Sequence, residues 1–210
     1  MEEVTYDEML EMASLGAKVL HSRCVEIAKK YGVELLVCSS LNRNSGTMVR
    51  EKTKMEKMLI SGVAADKNVA KIRVAGLGND PESTFRLLNL LDRNNLNIDV
   101  MIQSLGKDGT KSVSFTVAKP DMLRTIDVLN DNKDSLGIKK LDYDENVAKI
   151  SVIGAGVRSP SGVAAKMFGA LANAGINTEM ITTSEIRITA LIDEAYADQA
   201  MRAIHETFLE

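Results

Sequence analysis

Cysteine and histidine are scarce in this chain of 210 residues, which has two of each. Cys24 and Cys38 do not have the spacing of metal ligands. His21 and His205 belong to no motif that pairs a Ser or Cys nucleophile with an orienting acid. A disulfide between the two cysteines can be drawn, but reduced thiols are the expectation, which indicates a cytoplasmic protein. We therefore predict no metal site and no catalytic residue in this chain.

Long basic runs and long apolar runs are also missing. The formal net charge is −3, and no basic run exceeds the pairs Lys29-Lys30 and Lys139-Lys140, so we predict no nucleic-acid partner. No apolar run approaches the roughly 18 residues that a bilayer crossing requires. The acidic start, Met-Glu-Glu, lacks the basic and apolar regions of a signal peptide. The sequence therefore predicts no membrane partner.

The chain does contain a repeat. Residues 68–78 (NVAKIRVAGLG) return as residues 146–156 (NVAKISVIGAG), with eight of eleven positions identical. Each copy has the pattern of a β-branched strand that enters a Gly-x-Gly loop, with a helix after it. A repeat of this length indicates two copies of one folding unit.

The two copies predict similar element orders. In the first copy the pattern predicts strand 69–76, helix 82–94, strand 98–105, strand 111–118, helix 121–132 and strand 138–141. In the second it predicts strand 147–154, a helix from Pro160/Gly162 to 174, strand 178–183, strand 187–192 and helix 194–208. The second copy lacks a last strand, and the unassigned strand predicted at 58–65 would fill that place. We therefore predict an α+β fold in which the first βαββαβ unit is inserted within the second.

Residues 1–50 differ from the rest. Their pattern predicts helices over 6–19 and 24–31, then strands over 33–38 and 47–50, as in the end of a larger α/β domain. The charged residues 51–57 are predicted to be a linker.

The two glycine loops do not have nucleotide-binding patterns. Neither matches G-x-G-x-x-G or the G-K-[ST] of a phosphate loop. A helix N-terminus favours a carboxylate, and Asn79, Asp80 and Glu82 could hold an ammonium, so the first loop suits an amino acid. The second loop has Arg158 and Ser161 and fewer carboxylates. An ordinary tight connection between a strand and a helix remains the alternative for both loops.

Three segments identify a family. The repeated unit resembles the ACT domain, a ferredoxin-like module that senses small molecules. Residues 177–188 (NTEMITTSEIRI) and 60–64 (ISGVA) look like the second-unit signature of aspartate kinases. Residues 6–21 (YDEMLEMASLGAKVLH) resemble the end of that family's kinase domain.

This resemblance implies the regulatory part of an aspartate kinase, an enzyme that phosphorylates aspartate with ATP and is inhibited by lysine, threonine or both. The implied domains are a kinase-domain fragment (1–50), the linker (51–57), a first ACT unit (68–143), and a second ACT unit (58–67 and 146–210). ATP and Mg would bind in the kinase domain, so this chain alone would hold no cofactor and would be inactive. Met1 is either a natural internal start of translation or the boundary of a fragment of a longer protein. Its partners would be a second copy, joined through the ACT units, and a kinase domain or subunit.

The resemblance also implies residues that bind the effector. At the first loop these are Asn79, Glu82, Thr84 and Gln103, with Asn177 and Thr178 from the second unit. A second site would use the loop over 157–163, including Ser161 and Val163, with Asn97, Ile98 and Asp99. Threonine-binding relatives carry Asp and Gly where this chain has Asn79 and Glu82. This difference favours lysine, with Glu82 as the partner of its ammonium. The alternatives are a constitutive dimerisation module and a free-standing enzyme.

Overall fold

The computed structural model describes residues 1–17, 19–41, 45–51, 60–158 and 162–209. The strands are β1 (Glu3–Thr5), β2 (Leu35–Val37), β3 (Thr47–Arg50), β4 (Gly62–Leu77), β5 (Met101–Leu105), β6 (Lys111–Ala118), β7 (Lys140–Ile153), β8 (Met180–Thr183) and β9 (Arg187–Asp193). The helices are α1 (Tyr6–Ser14), α2 (Ser22–Tyr31), α3 (Pro81–Arg93), α4 (Met122–Asp131), α5 (Lys133–Leu136), α6 (Val163–Asn173) and α7 (Ala197–Leu209). The chain forms two compact units, of which unit 1 comprises Met1–Asp66 with Lys149–Glu210 and unit 2 comprises Lys67–Ala148.

The long strands β4 and β7 correct the prediction of shorter ones. The sequence pattern predicts a strand end at Asp66-Lys67, but β4 continues through both residues. Asp66 does not end the strand because its carboxylate pairs with Nζ of the buried Lys149, at 3.2 Å. The predicted strands 138–141 and 147–154 are likewise joined in β7. Residues 58 and 59 of the predicted strand 58–65, and all but Glu51 of the predicted linker, lie outside the described residues.

The N-terminal segment of unit 1 contains a three-stranded sheet in the order β1-β3-β2. β1 pairs parallel with β3, and β2 pairs antiparallel with it. The sequence prediction missed β1 because a three-residue strand is too short to show a period of two. Helix α1 begins directly after β1 at a capping box, in which Thr5 and Glu8 each satisfy a backbone N–H of the other.

A small core joins these elements. Its members are the buried residues Val4, Tyr6, Met9, Val25, Ala28 and Val49. The hydroxyl of Tyr6 donates to the carbonyl of Val33 at 2.8 Å. Burial raises the pKa of the Tyr6 phenol, and the carboxylates of Glu34 and Glu51 raise it further. The phenol therefore stays protonated, as this hydrogen bond requires.

The C-terminal part of unit 1 contains strands in the order β4-β7-β9-β8, and β8 pairs antiparallel with β9. Side chains on both faces of β7 and β9 are buried in this unit, since 149–153 and 188–192 are buried without alternation. One pair of buried polar groups is satisfied across these strands, where Ser151 Oγ and Thr189 Oγ1 lie 2.7 Å apart.

Unit 2 contains strands in the order β5-β6-β4-β7, and β6 pairs antiparallel with both of its neighbours. Along the chain its elements run β4, α3, β5, β6, α4, α5 and β7. Its core includes Ile72 and Val74 of β4, Leu87 and Leu91 of α3, and Phe115 of β6, each at most 1% exposed. The alternating burial of β4 in this unit agrees with the β-branched pattern of the repeat.

The connection from α3 to β5 contains Asn95, which has a φ of 53°. The matching connection after α6 has Gly175, with a φ of 71°. After each, an N–H donates back to the helix, from Leu96 to Leu91 O at 3.0 Å and from Ile176 to Leu171 O at 2.9 Å. In both copies, therefore, a residue in the left-handed conformation stands at the matching position after the first helix.

We expect Asn95→Ala to lower the free energy of unfolding by about 1 kcal/mol, because a Cβ without a compensating polar group is strained in the left-handed region. Asn95→Gly should stay within about 0.5 kcal/mol of the unaltered protein, since glycine adopts this conformation freely. Urea denaturation of the two variants measures both values. Equal effects of alanine and glycine would show that the backbone here is not strained by a side chain.

None of the helices in the described part of the chain combines the length and apolar character of a bilayer-crossing segment. Within the same ranges, no cluster of three His, Cys, Asp or Glu side chains is placed to hold a metal ion.

Candidate functional site

The first glycine loop joins β4 to α3 within unit 2. Gly76 has a φ of +88°, and a Cβ added there would lie 2.5 Å from Cβ of Lys139. The N–H of Lys139 donates to the carbonyl of Ala75 at 2.9 Å, so this neighbour is held in place. Gly76 is therefore required both by its backbone angle and by a close approach.

The loop ends in a firmly capped helix. Oδ1 of Asp80 accepts from the N–H of Glu82 at 3.0 Å, and Pro81 occupies the first turn. The hydroxyl of the buried Ser83 donates to the carbonyl of Gly78 at 2.6 Å. These bonds give the loop one conformation.

Two of the predicted site residues meet at this loop. Oγ1 of Thr84, in the first turn of α3, donates to Oε1 of Gln103 in β5 at 2.6 Å. The backbone register that pairs Gln103 with Val113 of β6 places β5 beside α3's first turn. Gln103 is exposed and Thr84 is half-buried. Thr84 and Gln103, which are 19 residues apart in the sequence, therefore form one polar surface.

The charges at the loop are partly paired. The carboxylate of Asp80 caps α3 and also lies 3.5 Å from the guanidinium of Arg86. Nζ of Lys111 donates to the carbonyl of Asp80 at 2.8 Å. Asp80 is thus engaged within the protein, whereas Glu82 and Asn79 are exposed and extend the polar surface. Of the two loop carboxylates, Glu82 is the better placed for an external ammonium.

Sequence reasoning missed Lys111. Its position is decided by pairing between strands, since it faces Leu77 at the end of the β4–β6 ladder. A β-bulge between Ala75 and Leu77 shifts the register there, which a local pattern does not reveal. The nearby turn 106–109 also holds Asp108, which accepts from the N–H and the hydroxyl of Thr110. These bonds hold the pKa of the Asp108 carboxyl below its ordinary value.

Asn97, Ile98 and Asp99 lie at the opposite end of α3 from the first loop. A 13-residue helix separates the two places, and at about 1.5 Å per residue it is roughly 20 Å long. The N–H of Asp99 donates to the carbonyl of Thr116 at 3.1 Å. Asn97 and Asp99 are exposed, and Ile98 is half-buried against the unit 2 core. These three residues therefore belong to a separate surface from the first loop.

The second glycine loop, in unit 1, differs from the first. The N–H of Gly154 donates to the carbonyl of Ile186 at 2.9 Å. Helix α6 begins after Gly162 without a side-chain cap, where α3 has Asp80. Val163 is only 6% exposed, so its side chain belongs to the core. Ser161 lies outside the described residues.

Asn177 and Thr178 line an open cleft in unit 1. The cleft has a volume of about 350 Å³, and its other walls are Phe168, Leu171, Ala172, Gly175 and Ile176. The polar side chains among these lining residues are those of Asn177 and Thr178. The cleft lies just after the left-handed Gly175, in the connection that matches 95–99 of unit 2.

Known proteins resemble this chain over most or all of its length. A sequence profile of the ACT domain matches residues 150–208. Aspartokinase of Pseudomonas aeruginosa is 39% identical over 211 residues, which cover 99% of this chain and 51% of the relative. The chain spans about half the length of the curated relatives it matches.

Solved structures agree with these similarities. The crystal structure of aspartokinase alpha and beta subunits is 42% identical, with a TM-score of 0.67, and the match covers 71% of this chain and 98% of that one. Aspartokinase III of E. coli, solved with lysine and aspartate in the T-state, is 25% identical, with a TM-score of 0.79, and the match covers 100% of this chain and 46% of that one. By its repeated glycine loops and by these similarities, the chain belongs to the aspartate kinase family and contains a regulatory region with an ACT domain.

Proposed function

We propose that this chain senses a feedback amino acid for an aspartate kinase, and that lysine is favoured over threonine. The first glycine loop is the principal site. The observation that carries this proposal is the hydrogen bond between Thr84 and Gln103, which joins helix and strand beside an exposed Glu82. An ordinary strand-to-helix turn does not need that polar surface.

The first loop offers complementary groups for lysine. A zwitterion presents a carboxylate and an ammonium, and lysine adds a second ammonium on a flexible chain. Glu82 would pair with an ammonium, while Asn79 and Gln103 would hydrogen-bond the rest of the ligand. Lys111 would favour the ligand's carboxylate. Aspartokinase III of E. coli, a structural neighbour, was solved with lysine bound, which supports the choice of ligand class.

The finer architecture is part of the same proposal. The repeated unit would be two ferredoxin-like ACT units, at 68–143 and at 58–67 with 146–210, the first inserted in the second. Residues 1–50 would be the end of a kinase domain, and 51–57 a linker. The second site residues, Asn97, Ile98, Asp99, Ser161 and Val163, and the cleft residues Asn177 and Thr178 would serve further effector contacts.

The activity would belong to the whole enzyme. A kinase domain or subunit would bind ATP and Mg and phosphorylate the β-carboxylate of aspartate. Two copies of this chain would associate through their ACT units. Effector binding would then favour one arrangement of that dimer and so inhibit the kinase, a coupling that is typically worth about 1–3 kcal/mol.

Calorimetric titration of the chain with lysine and with threonine tests the proposal. We expect lysine to bind more tightly and to raise the melting temperature as its concentration rises, because it binds the folded state alone. Norleucine, which lacks only the ε-ammonium of lysine, is the matched control ligand and should bind at least about tenfold more weakly. Absence of binding by both amino acids at about 10 mM would leave the alternative, a constitutive dimerisation module.

A further inference from the structure

The root of the second glycine loop, at Ile153 and Gly154, makes two backbone hydrogen bonds within unit 1. At Ile153, the last residue of β7, the carbonyl accepts from the N–H of Ser61 at 2.7 Å. At the next residue, Gly154, the N–H donates to the carbonyl of Ile186, at 2.9 Å. Any displacement of the loop root therefore moves the chain at Ser61, at Ile186, or at both.

Helix α1 is bonded to the same two places. The hydroxyl of Ser61 donates to Oε1 of Glu8, which is 5% exposed. The residue after Ile186 is Arg187, and its Nη1 donates to Oε2 of Glu11 at 2.8 Å. The side chains of Arg187 and Glu11 are 18% and 26% exposed, so this ion pair is largely shielded from water.

An apolar contact accompanies these four hydrogen bonds. Leu15, which follows α1, forms a buried cluster with Ala64 of β4 and Ile153 of β7. Gly16 then turns with a φ of +95°, and a Cβ there would lie 2.8 Å from the carbonyl of Ala65. The end of α1 is therefore packed directly on the strand that enters the second loop.

Glu8 extends this connection to the N-terminal sheet. Its Oε2 accepts from the N–H and from the hydroxyl of Thr5, at 3.0 and 2.8 Å. One carboxylate thus caps the start of α1 with one oxygen and holds Ser61 with the other. Thr5 is also the last residue of β1, which pairs with β3.

We propose that α1 couples the second glycine loop to the N-terminal sheet, and that Glu8, Glu11 and Arg187 are the positioning residues of this coupling. The inference rests on the proposed function, because it names the path by which an effector at the second glycine loop would act. Glu8 and Glu11 are three residues apart on α1, so their carboxylates face the same side of the helix. They bind the two segments that are hydrogen-bonded to the loop root. If those segments move apart, α1 therefore loses the hydrogen bond of Glu8 or that of Glu11.

Hydrogen exchange of the full chain without any ligand tests the coupling. We expect Glu11→Gln and Arg187→Gln each to speed the exchange of the amides at Gly154 and Ser61 by about threefold or more. The control is Asp7→Asn, which removes the exposed ion pair between Asp7 and Lys29 from the same helix and should leave those amides within about twofold. The charge-exchanged double variant, E11R with R187E, should recover most of the protection.

Two results would overturn the coupling. One is unchanged exchange at Gly154 in both single variants. The other is an equal acceleration at Phe115 in the core of unit 2, which would report only a general loss of stability. Adding lysine or threonine to the unaltered protein separates this inference from the proposed function. Absence of binding refutes the effector proposal, while the ligand-free exchange of Glu11→Gln and Arg187→Gln judges the coupling in either case.

Discussion

Asp66→Asn is expected to lower the free energy of unfolding of unit 1 by about 3 kcal/mol, the largest effect of any single polar substitution proposed for this protein. The side chain of Lys149 is 5% exposed, and its ammonium lies 3.2 Å from the carboxylate of Asp66. The amide of asparagine removes the carboxylate charge that lies beside this buried ammonium. The folded state alone loses this buried ion pair, so its free energy rises relative to that of the unfolded chain.

Calorimetry or urea denaturation measures this loss, and two further variants show its cause. Asp7→Asn, in the exposed pair with Lys29, should cost less than about 1 kcal/mol. Replacing both members of the buried pair, D66L with K149M, should recover most of the stability because no charge remains to be desolvated. A loss below about 1 kcal/mol for Asp66→Asn would show that the folded state does not depend on this ion pair.

The second large effect is expected for Glu82→Gln, which should weaken lysine binding by about 10- to 100-fold. Glutamine keeps the size and the oxygen of the side chain but loses the charge that would pair with the ammonium. Threonine binding should change by less than about threefold, because threonine has no second ammonium. Titration calorimetry of both ligands on both proteins gives these ratios.

The stability of α3 must be separated from the binding effect. Glu82 lies in the first turn, where a negative charge contributes about 0.3–1 kcal/mol through the helix dipole. Asp92→Asn, an exposed change near the other end of α3, is the control for lost acidic charge on the same helix. Lysine affinity that is equal in Glu82→Gln and Asp92→Asn would remove Glu82 from the site.

Much of the local structure followed from local patterns. Helix α3 was predicted over 82–94 and is found at Pro81–Arg93, because Pro81, the apolar spacing and the cap all lie within one stretch of sequence. The strand β6, predicted over 111–118, is found over those same residues. These elements were predictable because their signals are contained in the elements themselves.

The errors have a common cause. Asp66 has the sequence signature of a strand end, but its partner Lys149 is distant in the sequence and only the fold brings the two together. Lys111 reaches the first loop through strand pairing, and β1 exists only because β3 lies beside it. In each case a contact between segments decided the outcome.

Spacing and residue type suffice to define the repeat, the two glycine loops and the candidate residues for binding an amino acid. The tertiary structure decided which of those residues meet. It joined Thr84 to Gln103 and brought Lys111 to the carbonyl of Asp80, near the exposed Glu82. It also bonded α1 to the root of the second loop through Glu11 and Arg187, which lie at opposite ends of the chain. Such contacts depend on how distant segments pack, and no local pattern contains that information.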